Sequence, residues 1–234
     1  MIIQRTKRNP VRDFAVPVSL ARSTTEYLEK MIVSGTVRAG DRLLPDEIAA
    51  AIKVSKSTIR EALLNLQKDG FVTYVPRRGF FVSKISMEDI DEIYPIREAL
   101  LCLSTQIIIE KGEYEQHFID KLQRCLKRME KCVAKKDIYA YYRANMNFYD
   151  HLSEHCSNRR LVALMRQFGK LVQRFRYLSM TAPGRIERSL RLNQALFESI
   201  KNKDNFSAIP LIEEIMRDGR AALRQLLAEE KTSS

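Results

Sequence analysis

No Cys-x-x-Cys pair occurs among the four cysteines, Cys102, Cys125, Cys132 and Cys156. Each sits in a helical, partly apolar context, so buried free thiols are expected rather than disulfides or a zinc site. No stretch approaches the ~20 apolar residues of a membrane-spanning helix, and the N-terminus lacks the apolar core of a secretory signal. These absences predict a chain that works in the reducing cytoplasm, away from membranes. Nor is there a P-loop, a nucleophile–base constellation or an acid pair, so an enzyme is not expected, even as a helical enzyme with a DNA-binding appendage.

What is present is an ordinary globular balance, 45% apolar and 29% charged residues over 234 positions, with a formal net charge of +11. The charge is unevenly spread. Residues 1–85 hold 15 Lys and Arg against 8 Asp and Glu, and residues 86–234 hold 25 against 21. A basic N-terminal third is the electrostatic footprint of a polyanion partner.

Within that third, Ser55 has the character of a helix N-cap. The first turn after it lacks the usual acids and carries Lys56, Ser57, Thr58 and Arg60 instead. Amides, hydroxyls and cations gathered at one helix end all favour oxygen acceptors, as when a helix is pressed against phosphates and base edges. Around it the pattern reads as a helix from Leu20 to Gly35 and a short strand at Arg42-Leu43-Leu44. A helix from Pro45 and the Ser55-capped helix, closed by Gly70, come next. Phe71–Val75 and Phe80–Val82 are strand-like runs joined by Pro76-Arg77-Arg78-Gly79. The order predicts a winged helix-turn-helix, with the third helix in the major groove of double-stranded DNA and Arg77 and Arg78 near the minor groove or backbone.

Residues 20–84 resemble the DNA-binding domain of the GntR family of bacterial transcription regulators. The matching residues are Gly40-Asp41-Arg42-Leu43, Val54-Ser55-Lys56, Arg60-Glu61-Ala62-Leu63, Leu66, Gly70-Phe71-Val72 and Gly79-Phe80-Phe81-Val82. The resemblance implies DNA contacts from Lys56, Ser57, Thr58 and Arg60 on the recognition helix, and from Arg77, Arg78 and Gly79 on the wing. It also marks a departure: Asp46 stands where the family often has an arginine that helps read the operator.

From Ser86, which with Asp89 forms a capping-box-like start, the chain reads as helix to its end. The expected segments are 87–111, 115–135, 138–156, 159–181, 184–202 and 207–230, with Pro210 in the first turn of the last. The fold expected is mainly α, a winged head followed by an all-helical bundle. The domains are 1–18, a basic flexible arm; 19–84, the DNA-binding head; and 85–234, a domain for effector binding and dimerisation. Six helices after such a head resemble the FadR-like branch, with its FCD-type effector domain. Ile93-Tyr94-Pro95-Ile96-Arg97-Glu98-Ala99-Leu100 is similar to the first helix of that domain, and Phe148, Leu152, Glu154 and Asn158 fall at further family positions.

Many members of that branch hold a metal with an aspartate and three histidines. Those places project here onto Asn145, Tyr149, Asn193 and Ile215, which cannot replace a carboxylate and three imidazoles. No metal or other cofactor is expected. His151 and His155 are four apart on a helix, but they point about 200° and 240° away from Tyr149 and so leave the cavity side. His117 has no partner in sequence. Residues 159–191 hold nine Lys and Arg against the single acid Glu187. Either some arginines turn inward to hold an anionic effector or the run is a basic outer face. The resemblance places Arg97 toward the cavity, with Asn145, Tyr149 and Asn193 as neutral hydrogen-bonding groups around the ligand. The reading is a one-component regulator, in the first instance a repressor, that binds a palindromic operator as a homodimer and responds to a small anionic molecule. A non-specific, architectural DNA-binding protein without an effector is the alternative.

Overall fold

The computed structural model describes residues 20–232; the basic arm expected at 1–18 lies outside the described residues. The chain begins with α1 (Leu20–Val33), β1 (Arg42–Leu43), α2 (Pro45–Ile52) and α3 (Lys56–Lys68), followed by the hairpin β2 (Val72–Val75) and β3 (Gly79–Val82). The three strands form one antiparallel sheet of order β1-β3-β2, with Leu43 opposite Phe80 and Val75 opposite Gly79. Ile59, Ala62, Leu63 and Leu66, spaced at three and four on α3, are completely buried against α1 and the sheet. Each large apolar side chain removed from water in this way contributes about 1.5–3 kcal/mol, which fixes the opposite face of α3 toward solvent.

Two turns of the head use left-handed backbone at residues other than glycine. Lys53 (φ 56°) caps α2, its amide donating to the Ala49 carbonyl. Arg77 (φ 62°) sits at the wing tip, where Arg78 N–H donates to Val75 O at 3.0 Å. Proline at the second position and positive φ at the third are the marks of a type II turn, in which glycine or asparagine usually takes the place of Arg77.

The bundle comprises α4 (Met87–Lys111), α5 (Gln116–Ala134), α6 (Ile138–Glu154), α7 (Arg159–Met180), α8 (Arg185–Lys201) and α9 (Asn205–Thr232). The Ser86 capping box forms, with Ser86 and Asp89 each accepting from the other's backbone amide. Helix α5 packs on α6, while α9 lies against α4, α7 and α8. The last helix starts earlier than expected. Asn205 opens it, and Pro210 falls in its second turn, where it offers no amide to the carbonyl of Phe206. Along α7, Leu161, Val172 and Phe175 are buried, whereas Leu164 is 46% exposed. All four cysteines are free; three are buried and Cys102 is half-buried.

The head leans on the bundle through α1. Glu29 is buried, and its carboxylate lies 3.7 Å from Arg143 on α6. Lys30 stands over the ring of Tyr139, 5.6 Å from its centroid.

Candidate functional site

The N-terminus of α3 is organised by Ser55. Its Oγ accepts from the Thr58 amide at 3.1 Å and lies 2.8 Å from Ser57 Oγ and 2.7 Å from Thr58 Oγ1. Lys56, Ser57 and Arg60 are exposed on this turn and Thr58 is half-buried. Lys56 is not free: its ammonium meets both carboxylate oxygens of Asp46, at 2.6 and 2.9 Å. Arg60 forms no ion pair among the described residues. On the wing Arg77 and Arg78 are exposed, and the Arg78 guanidinium stands 5.5 Å from the centroid of the Phe81 ring. Gly79 adopts φ 97°, a conformation that a side chain would strain.

A second centre lies inside the bundle, where α4, α6, α7, α8 and α9 enclose a cavity of about 20 Å³, room for about one water-sized group. Arg97, Arg176 and Arg185 converge on it together with Asn145, Tyr149 and Ser189, and no carboxylate lines it. Arg176 and Arg185 are buried. Arg176 donates to Asn145 Oδ1 at 2.7 Å and to its backbone carbonyl at 3.3 Å, while its Nε has no partner. Among the described residues Arg185 makes one hydrogen bond, to the Ile215 carbonyl at 3.5 Å, and its Nε and Nη1 have no partner. The Tyr149 hydroxyl is likewise unpartnered among the described residues. Its ring lies between two cations, 5.0 Å from the Arg176 guanidinium carbon and 6.0 Å from that of Arg97. Burial, and then the neighbouring charge of Arg176, push Arg97 down to about 10, which leaves it cationic at neutral pH. Burial raises the Tyr149 phenol, so it stays protonated as a donor.

A second compartment of about 50 Å³ adjoins this one and shares Arg97, Tyr149 and Arg176. Its other walls include Leu100, Met165, Phe168 and Val172, with Asp150 at its edge. Asn193 stands behind the first compartment, fully buried, with its amide donating to the Ser189 carbonyl at 2.6 Å. It does not itself line the cavity.

Comparison with known proteins fits both halves. The gntR family of bacterial regulatory proteins matches residues 20–82, and the FCD domain matches residues 92–229. The chain belongs to the GntR family and carries an FCD effector domain. It is 33% identical over 182 residues to the HTH-type transcriptional regulator YdhC of Bacillus subtilis (strain 168), an alignment covering 77% of this chain and 80% of that one. With the HTH-type transcriptional repressor RspR of Escherichia coli (strain K12) it shares 23% identity over 206 residues, 86% of this chain and 88% of the other. The fold resembles that of E. coli McbR/YncC, with a TM-score of 0.73 at 22% identity over 90% of this chain and 100% of that one. The chain is a transcription factor in fold and family rather than an enzyme. Among the described residues, no helix is long and apolar enough to cross a membrane.

In this GntR-family chain the resemblance projects the branch's metal ligands onto Asn145, Tyr149, Asn193 and Ile215. The structure puts Asn145, Tyr149 and Ile215 on the cavity wall beside two buried guanidinium groups. A divalent cation there would find one amide oxygen, already accepting from Arg176, and no imidazole or carboxylate. The donor set does not fit a transition metal. The histidines do not supply one. His155 leaves α6 as its C-cap and stacks on Phe118 at 3.8 Å, and His151 lies 3.8 Å from Glu154. Of the basic run, Arg176 and Arg185 turn inward. Arg188, exposed, pairs with Asp218 and Glu214, and Arg166 lies 3.5 Å from Glu154. Sequence reasoning missed Arg176. Its signal was present: it stands four residues after Val172 and next to Phe175, a lone cation on an otherwise apolar stripe.

Proposed function

We propose that the protein is a repressor that binds a palindromic operator as a homodimer, and that a small anionic metabolite in the bundle cavity controls this binding. In this reading residues 19–84 form the DNA-binding unit and 85–234 the effector and dimerisation unit, acting in the cytoplasm. The observation that carries the DNA half is the Ser55-capped end of α3, where Lys56, Ser57, Thr58 and Arg60 surround an outward-facing helix N-terminus. Arg77 and Arg78, with the backbone at Gly79, would follow the phosphate chain from the wing. A two-fold dimer sets its recognition helices about 34–36 Å apart. Exposed Ile96 and Leu103, seven residues apart on one face of α4, support such a partner surface.

The effector half is supported by the three arginines that meet without a carboxylate, with Asn145 and Tyr149 as the polar groups between them. Helix α6 offers a route between the halves, since it carries Asn145 and Tyr149 on the cavity and Arg143 against Glu29 of the head. A ligand that draws Arg176 from Asn145 changes the setting of α6 and so favours one pose of the head over another. A gel shift with competing random DNA tests the reading. Specific retention that is lost in the Lys56→Ala/Arg60→Ala double variant, with the dimer intact, supports it. Binding with a steep salt slope and no preference among sequences would favour the architectural alternative.

A further inference from the structure

We infer that the bundle cavity between Asn145 and Tyr149 is a metal-independent site for a compact dianion, gripped directly by the buried side chains of Arg176 and Arg185. The inference deepens the effector reading above and rests on it. It names the ligand's charge and shape, and it assigns the grip to two residues outside the family's ligand pattern.

Charge sets the valence of the ligand. Three guanidinium groups face a cavity whose wall holds no carboxylate, and Asp150 at the edge of the outer compartment is the nearby acid. Guanidinium groups stay ionised at neutral pH, so the site carries an unbalanced positive charge that a single monoanion would leave only partly met. Hydrogen bonding points the same way. Among the described residues Arg176 Nε, Arg185 Nε and Nη1 and the Tyr149 hydroxyl are all donors without partners, on residues no more than 8% exposed. Buried donors left unmade are costly, and four around one small space specify a ligand rich in acceptor oxygens. Size sets the shape. The charged compartment alone has room for about one water-sized group, so a phosphate or a short diacid must extend into the adjoining compartment of about 50 Å³, with its two charges close together beside the arginines. The adjoining compartment, walled by Leu100, Met165, Phe168 and Val172, receives whatever apolar remainder the molecule has.

Asn145 suits such a site. An aspartate there would neutralise Arg176 and compete with an incoming anion, whereas the amide accepts one hydrogen bond and leaves the charge for the ligand. Metal and arginine are thus alternative positive centres for holding an anion in one place.

The test uses the full-length protein with a chelator present throughout. Thermal shifts are recorded with sulfate, inorganic phosphate and malonate against chloride at matched ionic strength, so that screening is constant. Because sulfate and phosphate also stabilise proteins non-specifically, the readout is the difference between the wild type and Arg185→Gln. The expected result is a saturable rise with at least one dianion. Its apparent affinity should be about tenfold or more weaker in Arg185→Gln and in Asn145→Asp, as loss of a charge-assisted hydrogen bond implies. Arg188→Gln, at an exposed arginine paired to Asp218, should respond like the wild type. A response to sulfate and phosphate alone identifies a phosphate-type head, and one to malonate alone a dicarboxylate. The inference is overturned if no dianion gives a saturable shift in the presence of the chelator, or if the shift survives unchanged in Arg185→Gln and Asn145→Asp. DNA binding by the head is read separately in the gel shift, so either proposal can fail without the other.

Discussion

Arg176 reaches across from α7 to Asn145 on α6 and takes both of that residue's oxygens, the side-chain amide at 2.7 Å and the backbone carbonyl at 3.3 Å. A buried cation is thereby held by a neutral residue, which accepts its hydrogen bonds without balancing its charge. Asn145→Ala removes the better acceptor and is expected to cost about 1.5–3 kcal/mol, read as a lower urea midpoint. Asn145→Asp supplies the missing counter-charge and should raise the midpoint of the ligand-free protein. An aspartate variant less stable than the alanine one would contradict an unbalanced positive cavity.

Lys56 and Arg60 differ in what they must give up to reach DNA. Arg60 is unengaged among the described residues, whereas Lys56 is held by Asp46 at 2.6 Å. Arg60→Ala should therefore weaken binding more than Lys56→Ala. Removing one cation that neutralises a phosphate should lower the salt slope by about one. Titrations at several salt concentrations separate the two.

Asp46 itself restrains the recognition helix. Both partners of the pair are substantially exposed, so the pair contributes little to stability, and its effect is expected on the proposed DNA surface. Asp46→Ala should release Lys56 and remove a negative charge from that surface. The expected result is roughly two- to fivefold tighter binding to random DNA, with stability almost unchanged. Unchanged non-specific affinity would mean that Asp46 faces away from the duplex.

The wing tip stores strain that glycine would relieve. Arg77 holds φ 62°, a region that costs a side chain roughly 1–2 kcal/mol. Arg77→Gly should raise thermal stability by about that amount while weakening DNA binding. A glycine variant that is more stable and binds equally well would show that the residue is not at the interface.

How far the sequence could be read depended on the range of the interactions. The bundle helices were legible because period, capping residues and breakers act within a few positions; the Ser86–Asp89 box and Gly112 place the ends of α4 as expected. Pro210 misled because proline usually marks a first turn, yet Asp204 accepts from the Ser207 amide and starts the helix earlier. The recognition turn was visible in one short run, Ser55 to Arg60. The cavity was visible only in part. Arg97 and Tyr149 came from resemblance, while Arg176 and Arg185 were two among nine similar cations, and only packing of α7 and α8 selects which turn inward. Glu29 and Arg143 could not be paired at all from sequence, being on separate domains and more than a hundred residues apart.

That last pair should make the joint between head and bundle sensitive to pH. Burial holds the Glu29 carboxyl above its usual 4.5, Arg143 opposes the shift, and Asp69 and Glu26 add to it. The folded protein then binds this proton more tightly than the unfolded chain, so the contribution is most favourable at low pH and declines as pH rises above about 4.5 through the folded value. Glu29→Gln keeps the shape without the charge. It should be the more stable form near neutrality and should flatten the dependence of the urea midpoint on pH above that point. Arg143→Ala should do the reverse, since it leaves the ionised carboxylate buried without its counter-charge. Its deficit relative to the wild type should grow as pH rises. A deficit for Arg143→Ala that is constant from acid to neutral pH would mean that the two residues are not electrostatically coupled across the joint.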